Sequence, residues 1–348
     1  MEQLKKWNGE NVIVRFDHPT GAWILIAIHS TRLGPAGGGT RMKTYPSFDA
    51  ALDDVLRLAE GMTRKFAVVD FPFGGGKTVI ALPPNFDPRA RADLLRRYGA
   101  LVYQLGGLFY TGPDVGTSSA DMDVIAETGA PYVFGRTPQA GGAGDSGPIT
   151  ALGVLAGIQV TCAHLFGSDA LPGRRILVQG AGSVGGTLIN HLCDAGATVL
   201  FSDVDQHAIT HFRDERGIEF VPAESVYDTE CDIFAPCALG GVLNRDTIAR
   251  LRCRAVAGGA NNQLAESDDA ERLRARGIVY APDYVINIGG AMGITGIETR
   301  GWSRAEAESR VTETVRRALR QVFELAQAED VTTEAAARRI AEERLANA

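Results

Sequence analysis

The sequence predicts an α/β protein of two domains: an N-terminal α/β substrate domain and a Rossmann-type, doubly wound dinucleotide-binding domain, with the active-site cleft between them. Three observations carry this reading. A short apolar strand, Arg175 to Gln179, runs directly into GAGSVG and a helical run from Val184 to Cys193, and a second strand, Thr198 to Ser202, ends on Asp203. Strand and helix then alternate as far as Tyr280, the pattern of a parallel sheet with helices on its faces. Before both lies RTPQAGGAGDSGP, Arg136 to Pro148, which holds little that can pack and reads as a hinge. The domains are expected at residues 1–135, for substrate binding and oligomerisation and completed by a C-terminal helix at about 325–348, and at residues 136–324, for the dinucleotide.

At 348 residues and 37.1 kDa the chain is long enough for two cores. A net charge of -7 and a pI near 5.5 argue against a nucleic-acid partner, which needs concentrated positive charge. No apolar run is expected to span a membrane, the first ten residues lack a signal-peptide core, and the cytoplasm is the expected compartment. The five cysteines are scattered and form no CxxC pair, and the six histidines form no HExxH. His207 and His211 have metal-friendly i, i+4 spacing on an expected helix but read as a solvated face, so no metal site is expected.

Taken in order, Asn11 to Asp17 and Trp23 to His29 alternate around His18-Pro19-Thr20-Gly21, the signal of a hairpin whose edge suits self-association. LGPAGGGTRM, Leu33 to Met42, reads as a glycine loop able to bring backbone N–H groups to a carboxylate. Ser47 reads as an N-cap, and Leu52, Val55, Leu56, Ala59 and Met62 recur at helical spacing up to a stop at Gly61. Strand-like Phe66 to Val69 and Thr78 to Leu82 flank a second glycine loop. Pro88 to Leu105 is expected as a helix closed by Gly106-Gly107, followed by a strand, Leu108 to Thr111, and a loop, Gly112 to Asp123.

The stretch Gly61 to Ile80 is where chemistry is expected. It sets Lys65 and Lys77 on either side of an apolar run, the second directly after three glycines that leave room for a small anionic ligand. A lysine that moves protons needs its pKa brought down toward neutrality, and a second ammonium nearby and removal from water both act in that direction. This is not a phosphate-binding P-loop, because Phe71 stands where the first glycine of that motif belongs. Asp114, just past a strand end, is rigidly held and suited to proton transfer; the bland alternative is a turn or helix cap.

In the second domain Gly180, Gly182 and Gly185 form GxGxxG, with Ser183 and Val184 inside it, and Asp203 lies about 23 residues beyond the first glycine, where an acid accepts ribose hydroxyls. Strand, glycines, helix, strand and terminal acid together predict a bound dinucleotide. Asp203 favours NAD over NADP, whose 2'-phosphate it would repel. Cys231 to Ala235, Ala255 to Ala257 and Ile278 to Tyr280 follow as strands, with helices at Asn244 to Leu251 and Glu266 to Arg276. The loops APCALGG, GGANNQ and APDYVINIGG, carrying Ala238, Asn261, Asn262 and Asn287, should face the nicotinamide. Thr150 to His164, Ser303 to Ala328 and Thr333 to Ala346 read as helices, the last two able to cover the first domain or to self-associate.

The series GMTRKFAVVDFPFGGGKTVI, TGPDVGTSSADMD, VQGAGSVGG, DIFAPCALGG, AVAGGANNQLA and YAPDYVINIGGA resembles, in order and over nearly the whole chain, the amino acid dehydrogenases of the glutamate/leucine/phenylalanine/valine family. The resemblance implies reversible NAD(P)-dependent oxidative deamination of an L-amino acid to a 2-oxo acid and ammonium by a homo-oligomer. It implies that Lys65, with backbone at Gly38 and Gly39 and with Asn261 or Asn262, holds the substrate carboxylate. It further implies that Lys77 is the general base, that Asp114 shuttles protons to the amino group, and that Thr150 meets the nicotinamide carboxamide. Gly147 departs from the commoner serine of the family and puts one cofactor contact in doubt.

Members acting on glutamate carry a lysine where this chain has Gly37, so a side-chain carboxylate would be left unpaired. The small residues Gly37, Gly112 and Ala291, in a pocket that Pro113 and Ile294 should also line, suggest more room than leucine or valine needs, and RFD, STRLGPA and TGPDV look most like phenylalanine dehydrogenases. The expected substrate is therefore L-phenylalanine, with leucine, valine or tryptophan as alternatives within the family. A non-catalytic NAD-binding protein and a helical scaffold are the readings from other classes, disfavoured because two lysines, an acid and a dinucleotide site occur together.

Overall fold

A computed structural model describes residues 2–348. The chain forms two compact units, one of residues up to Asp145 with Ile294–Ser303 and Ala341–Ala348, the other of Ser146–Gly293 with Arg304–Ile340.

The first unit contains α1 (Glu2–Lys6), β1 (Asn11–Asp17), β2 (Ala22–Ser30), β3 (Ala36–Thr44), α2 (Phe48–Val68), β4 (Gly74–Leu82), α3 (Arg91–Gln104), β5 (Phe109–Pro113) and α4 (Ser119–Gly129). Its sheet has the order β1-β2-β4-β3-β5; β1, β2 and β4 pair antiparallel, while β3 runs parallel to β4 and β5. The period of two along β2 sends Ile24, Ile26 and Ile28 toward α3 and α4, and Leu25 and Ala27 toward α2, so both faces of the sheet are buried. A polar pin crosses the first of these layers: Tyr98 Oη lies 2.9 Å from Thr40 Oγ1, 2.8 Å from Thr78 Oγ1 and 2.8 Å from Thr111 Oγ1, all buried, tying α3 to β3, β4 and β5.

Three expectations fail here for one reason, close packing. Helix α2, capped by Ser47 Oγ accepting from the Ala50 amide at 3.1 Å, does not stop at Gly61 but runs to Val68. Its buried stripe continues through Thr63, Phe66 and Ala67, and that burial outweighs the roughly 1 kcal/mol cost of one glycine in a helix. Phe66 to Val68 is thus its last turn and not a strand. The two glycine loops are themselves strands, β3 and the start of β4. A Cβ at Gly38 would collide with the Gly76 carbonyl, and one at Gly75 with the backbone of Thr63, so glycine lets β3, β4 and α2 approach closely.

The segment after α4 stays with the first unit as far as Asp145, beyond the expected boundary at residue 135, tied by Glu298 and by Asp123 of α4, whose carboxylate accepts from the Thr137 amide at 2.9 Å and the Thr137 hydroxyl at 2.6 Å. The buried Glu298 carboxylate accepts from the amides of Gly135 at 2.8 Å and Ala143 at 2.9 Å through Oε1, and from Arg136 Nε at 3.1 Å through Oε2.

The second unit is built from α5 (Gly147–Phe166), β6 (Arg175–Gln179), α6 (Ser183–Asp194), β7 (Thr198–Ser202), α7 (Gln206–Ile209), β8 (Glu219–Phe220), β9 (Ile233–Pro236), α8 (Arg245–Arg250), β10 (Ala255–Val256), α9 (Asp269–Ala275), β11 (Val279–Tyr280), α10 (Asp283–Ile286), the first turn of α11 (Gly289–Arg300), all of α12 (Arg304–Glu329), and α13 (Thr333–Ala346) as far as Ile340. Its sheet is wholly parallel in the order β11-β10-β9-β6-β7-β8. Connections run outward in both directions from β6, which makes its carboxyl end the switch point where ligands bind in such sheets. Helix α5 is, contrary to expectation, long and apolar enough to cross a membrane, with a mean hydropathy of 1.7; most of it is buried, and it packs on α6 and α12. Val311, Val315, Leu319 and Val322 bury α12 in the second unit, so the C-terminal residues that join the first begin only at Ala341. There Arg344 donates to the Ala67 carbonyl at 2.9 Å, satisfying the C-terminal end of α2.

Candidate active site

Lys77 lies within β4, opposite Ala27 of β2, and its residue is only 5% exposed although it is a lysine. Asp114 follows directly on β5. Its backbone amide donates to Thr117 Oγ1 at 2.9 Å, and Thr117 Oγ1 donates to the Thr40 carbonyl at 2.8 Å, which fixes the turn against β3. The two side chains meet, Lys77 Nζ to Asp114 Oδ1, at 3.3 Å. Gly39 borders the pair: a Cβ there would come within 3.2 Å of Lys77 Nζ and 2.8 Å of Asp114 Cβ, so the absent side chain leaves the approach to both groups open.

Arg41, two residues beyond Gly39 on β3, has no place in the reading of the sequence. Its Nε donates to Asp114 Oδ2 at 2.8 Å and its guanidinium to Asp54 Oδ2 of α2 at 3.0 Å. Asp54 also accepts from Tyr45 Oη and from Arg57, each at 2.7 Å. Burial pushes the Lys77 ammonium below its ordinary lysine value; Asp114 opposes this and the Arg41 charge adds to it. Burial alone would raise Asp114, but Lys77 and Arg41 overcome it and hold the carboxyl below the usual range. The second cation acting on Lys77 is therefore Arg41. Lys65 stands half-buried in the last turn of α2.

Gly37 and Gly112 border aromatic rings and not empty space. A Cβ at Gly37 would come within 3.0 Å of the Phe73 ring and 3.4 Å of Phe66, and one at Gly112 would collide with the Phe134 ring. Phe73 packs in turn on Phe66 and Tyr110, with ring centroids 5.9 and 5.7 Å apart. The expectation of added room at these glycines is corrected to that extent: phenyl rings of the chain itself occupy the space beside them. Pro113 ends β5 beside Asp114, Ala291 lies half-buried in the first turn of α11, and Ile294 is buried in the same helix.

In the second unit the glycine loop has the form a pyrophosphate requires. Gly180 has φ +94°, a conformation that suits glycine, and a Cβ there would press on Ala238 at 2.7 Å. A Cβ at Gly185 would collide with the Gly180 carbonyl, whereas Gly182, at the start of α6, faces open space. Asp203 accepts from the Ala181 amide through Oδ2 at 2.5 Å and from the Asp205 amide through Oδ1 at 2.8 Å, so its carboxylate is fixed against the loop with acceptor capacity to spare. These residues fit a dinucleotide. Val184 approaches Gly259, where a Cβ would meet it at 2.8 Å, and Asn287 Nδ2 donates to Asn261 Oδ1 at 2.8 Å. Asn262 is exposed with φ +53°. Thr150 is buried and its hydroxyl donates to the Ser146 carbonyl at 2.8 Å. At Gly147 a Cβ would collide with the Ser183 hydroxyl, so a serine cannot be accommodated there beside Ser183 as it stands.

A doubly wound parallel sheet with this glycine loop and a buried lysine–carboxylate pair fit the class of dinucleotide-dependent oxidoreductases. Residues 18–130 match the pattern described as Glu/Leu/Phe/Val dehydrogenase, dimerisation domain, and residues 201–348 match Glutamate/Leucine/Phenylalanine/Valine dehydrogenase. The chain is 42% identical to a leucine dehydrogenase of Thermoactinomyces intermedius, over 99% of this chain and 93% of that one. It is 40% identical to a phenylalanine dehydrogenase of Lysinibacillus sphaericus, over 95% and 87%. The crystal structure of L-tryptophan dehydrogenase from Nostoc punctiforme superposes with a TM-score of 0.86 at 38% identity, covering 99% of this chain and 98% of that one. The chain belongs to the glutamate/leucine/phenylalanine/valine dehydrogenase family and is an amino acid dehydrogenase, an oxidoreductase acting on CH–NH2 donors.

Proposed function

We propose that the enzyme catalyses the reversible, NAD-dependent oxidative deamination of an apolar L-amino acid, L-phenylalanine above others, to the 2-oxo acid and ammonium. The observation that carries this is the buried Lys77 held against Asp114 beside Gly39. Lys65, with backbone at Gly38 and Gly39 and with Asn262, holds the substrate carboxylate. Lys77 in its neutral form takes a proton from the water that attacks the oxidised Cα, and Asp114 carries protons to and from the departing nitrogen. Gly180, Gly182, Ser183, Val184, Gly185 and Asp203 hold the dinucleotide, and Ala238, Asn261, Asn287 and Thr150 its nicotinamide end. When bound, that group supplies the acceptor for the Cα hydride. Asp203 favours NAD over NADP.

The rings of Phe66, Phe73 and Tyr110 near Gly37 support an aromatic substrate, since edge and face contacts add about 0.5–1.5 kcal/mol beyond burial. The same rings take up space, and this favours a branched-chain substrate as the second reading. Steady-state kcat/KM with NAD for L-phenylalanine, L-tryptophan, L-leucine, L-valine and L-glutamate decides: phenylalanine should lead and glutamate fail. Equal values for leucine and phenylalanine would remove the aromatic assignment.

The first unit matches a pattern described as a dimerisation domain, and its edge strand β1 exposes Val14 and Phe16 beside Trp23 and Phe48. Both support a homo-oligomer, checked by light scattering. Free thiols at all five cysteines support a cytoplasmic setting.

A further inference from the structure

We infer that Arg41 is a positioning residue that, anchored by Asp54, keeps the Lys77–Asp114 pair loose enough for Lys77 to act as a base. The inference rests on the proposed function above. A carboxylate sharing both oxygens with a buried ammonium would hold that ammonium protonated. Arg41 Nε takes Asp114 Oδ2 at 2.8 Å, leaving Lys77 the longer 3.3 Å contact to Oδ1. The guanidinium never titrates, so it competes for Asp114 at every working pH.

Asp54 sets the strength of this competition. It binds Arg41 at 3.0 Å and is itself engaged by Tyr45 and Arg57, which lock its orientation. The charged groups acting on Lys77 are Asp114 after β5, Arg41 on β3 and Asp54 on α2, and behind them Tyr45, just beyond β3, and Arg57 on α2 engage Asp54. His29 of β2 is turned to Thr63 Oγ1 at 2.9 Å. Removing the Arg41 charge should let Lys77 keep its proton to higher pH, and removing the Asp54 charge should make Lys77 release it at lower pH. A purely structural brace gives no such opposition of sign.

The test uses the full-length protein, labelled with [ε-13C]lysine and titrated by NMR, the Lys77 resonance being assigned from its loss in Lys77→Ala. Arg41→Gln should move the Lys77 midpoint upward and Asp54→Asn downward, and Arg41→Lys, which keeps the charge but loses the fork, should leave it near that of the parent. In parallel, the acidic limb of kcat/KM should move the same way in each variant, and Arg41→Lys should lower kcat on the order of tenfold through misplacement. Midpoints that do not move, or that move together, overturn the inference even if the enzyme deaminates amino acids. Opposed midpoints without deaminase activity sink the functional reading and leave the charge arrangement standing. Should Arg41→Gln not fold, the Asp54→Asn midpoint decides by its direction.

Discussion

Lys77 Nζ and Asp114 Oδ1 face each other at 3.3 Å from two strands that are not neighbours, β4 and the end of β5, with β3 between them. Between them β3 carries glycine at position 39, where a Cβ would crowd both partners, at 2.8 Å from Asp114 Cβ and 3.2 Å from Lys77 Nζ. Lys77 is carried by the sheet itself and Asp114 by the turn that directly follows β5, pinned to β3 through Thr117, so the proposed proton-transfer pair rests on a rigid frame.

Lys77→Ala should cut turnover by orders of magnitude while NAD binding is retained, and Asp114→Asn should cut it roughly 10²–10⁴-fold, the usual worth of a general acid–base group. In the parent the depressed Lys77 pKa means that its neutral form accumulates below the ordinary lysine range. Deamination kcat/KM should thus rise with pH along a limb lying below that range. Near-normal turnover in Lys77→Ala, measured by NADH formation, would remove the mechanism.

The dinucleotide half was legible because its signals are local: strand, glycines, helix, strand and acid lie within Arg175 to Asp203, and β6 and β7 fall where their residues predict. The first unit was less so. Glycine at 37–39 and 74–76 reads as loop by propensity, and only the contact with α2 and the neighbouring strand shows why a packed strand needs it. Arg41 and Asp54 look like surface charges in isolation. Their meaning arises from Asp114, which is far away in sequence, and no periodicity encodes that contact.

Asp203 is bound to the glycine loop through the Ala181 amide, so its loss should loosen the loop as well as remove the proposed ribose acceptor. Asp203→Ala should raise KM for NAD on the order of tenfold, about 1.4 kcal/mol, and bring NADP closer to NAD as a substrate. Initial rates with both cofactors check this, and an unchanged NAD to NADP ratio counts against Asp203 as the discriminating group.

Phe73 fills the space beside Gly37. Phe73→Ala should open the wall and shift kcat/KM from L-phenylalanine toward L-tryptophan by roughly 10-fold or more, the worth of one or two kcal/mol in an apolar pocket. If competition between the two substrates gives the parent's ratio, Phe73 does not border the substrate.

Glu298 is a buried carboxylate that ties residues 135–143 to the first unit, taking two amides on Oε1 and Arg136 on Oε2, while Asp123 holds Thr137 of the same segment. Glu298→Ala strands both N–H groups and a partly buried guanidinium at once, and breaking such a cluster costs about 3–5 kcal/mol. Glu298→Gln keeps an oxygen for the two amides but turns an NH2 group toward Arg136, so its cost should be smaller, about 2 kcal/mol. Chemical denaturation orders the three proteins, and hydrogen exchange locates the effect: the amides of Gly135 and Ala143 should lose protection in Glu298→Ala while those of β4 keep theirs. Equal protection in parent and variant would mean that the segment is held by other contacts, and the boundary at Asp145 would then need a different cause.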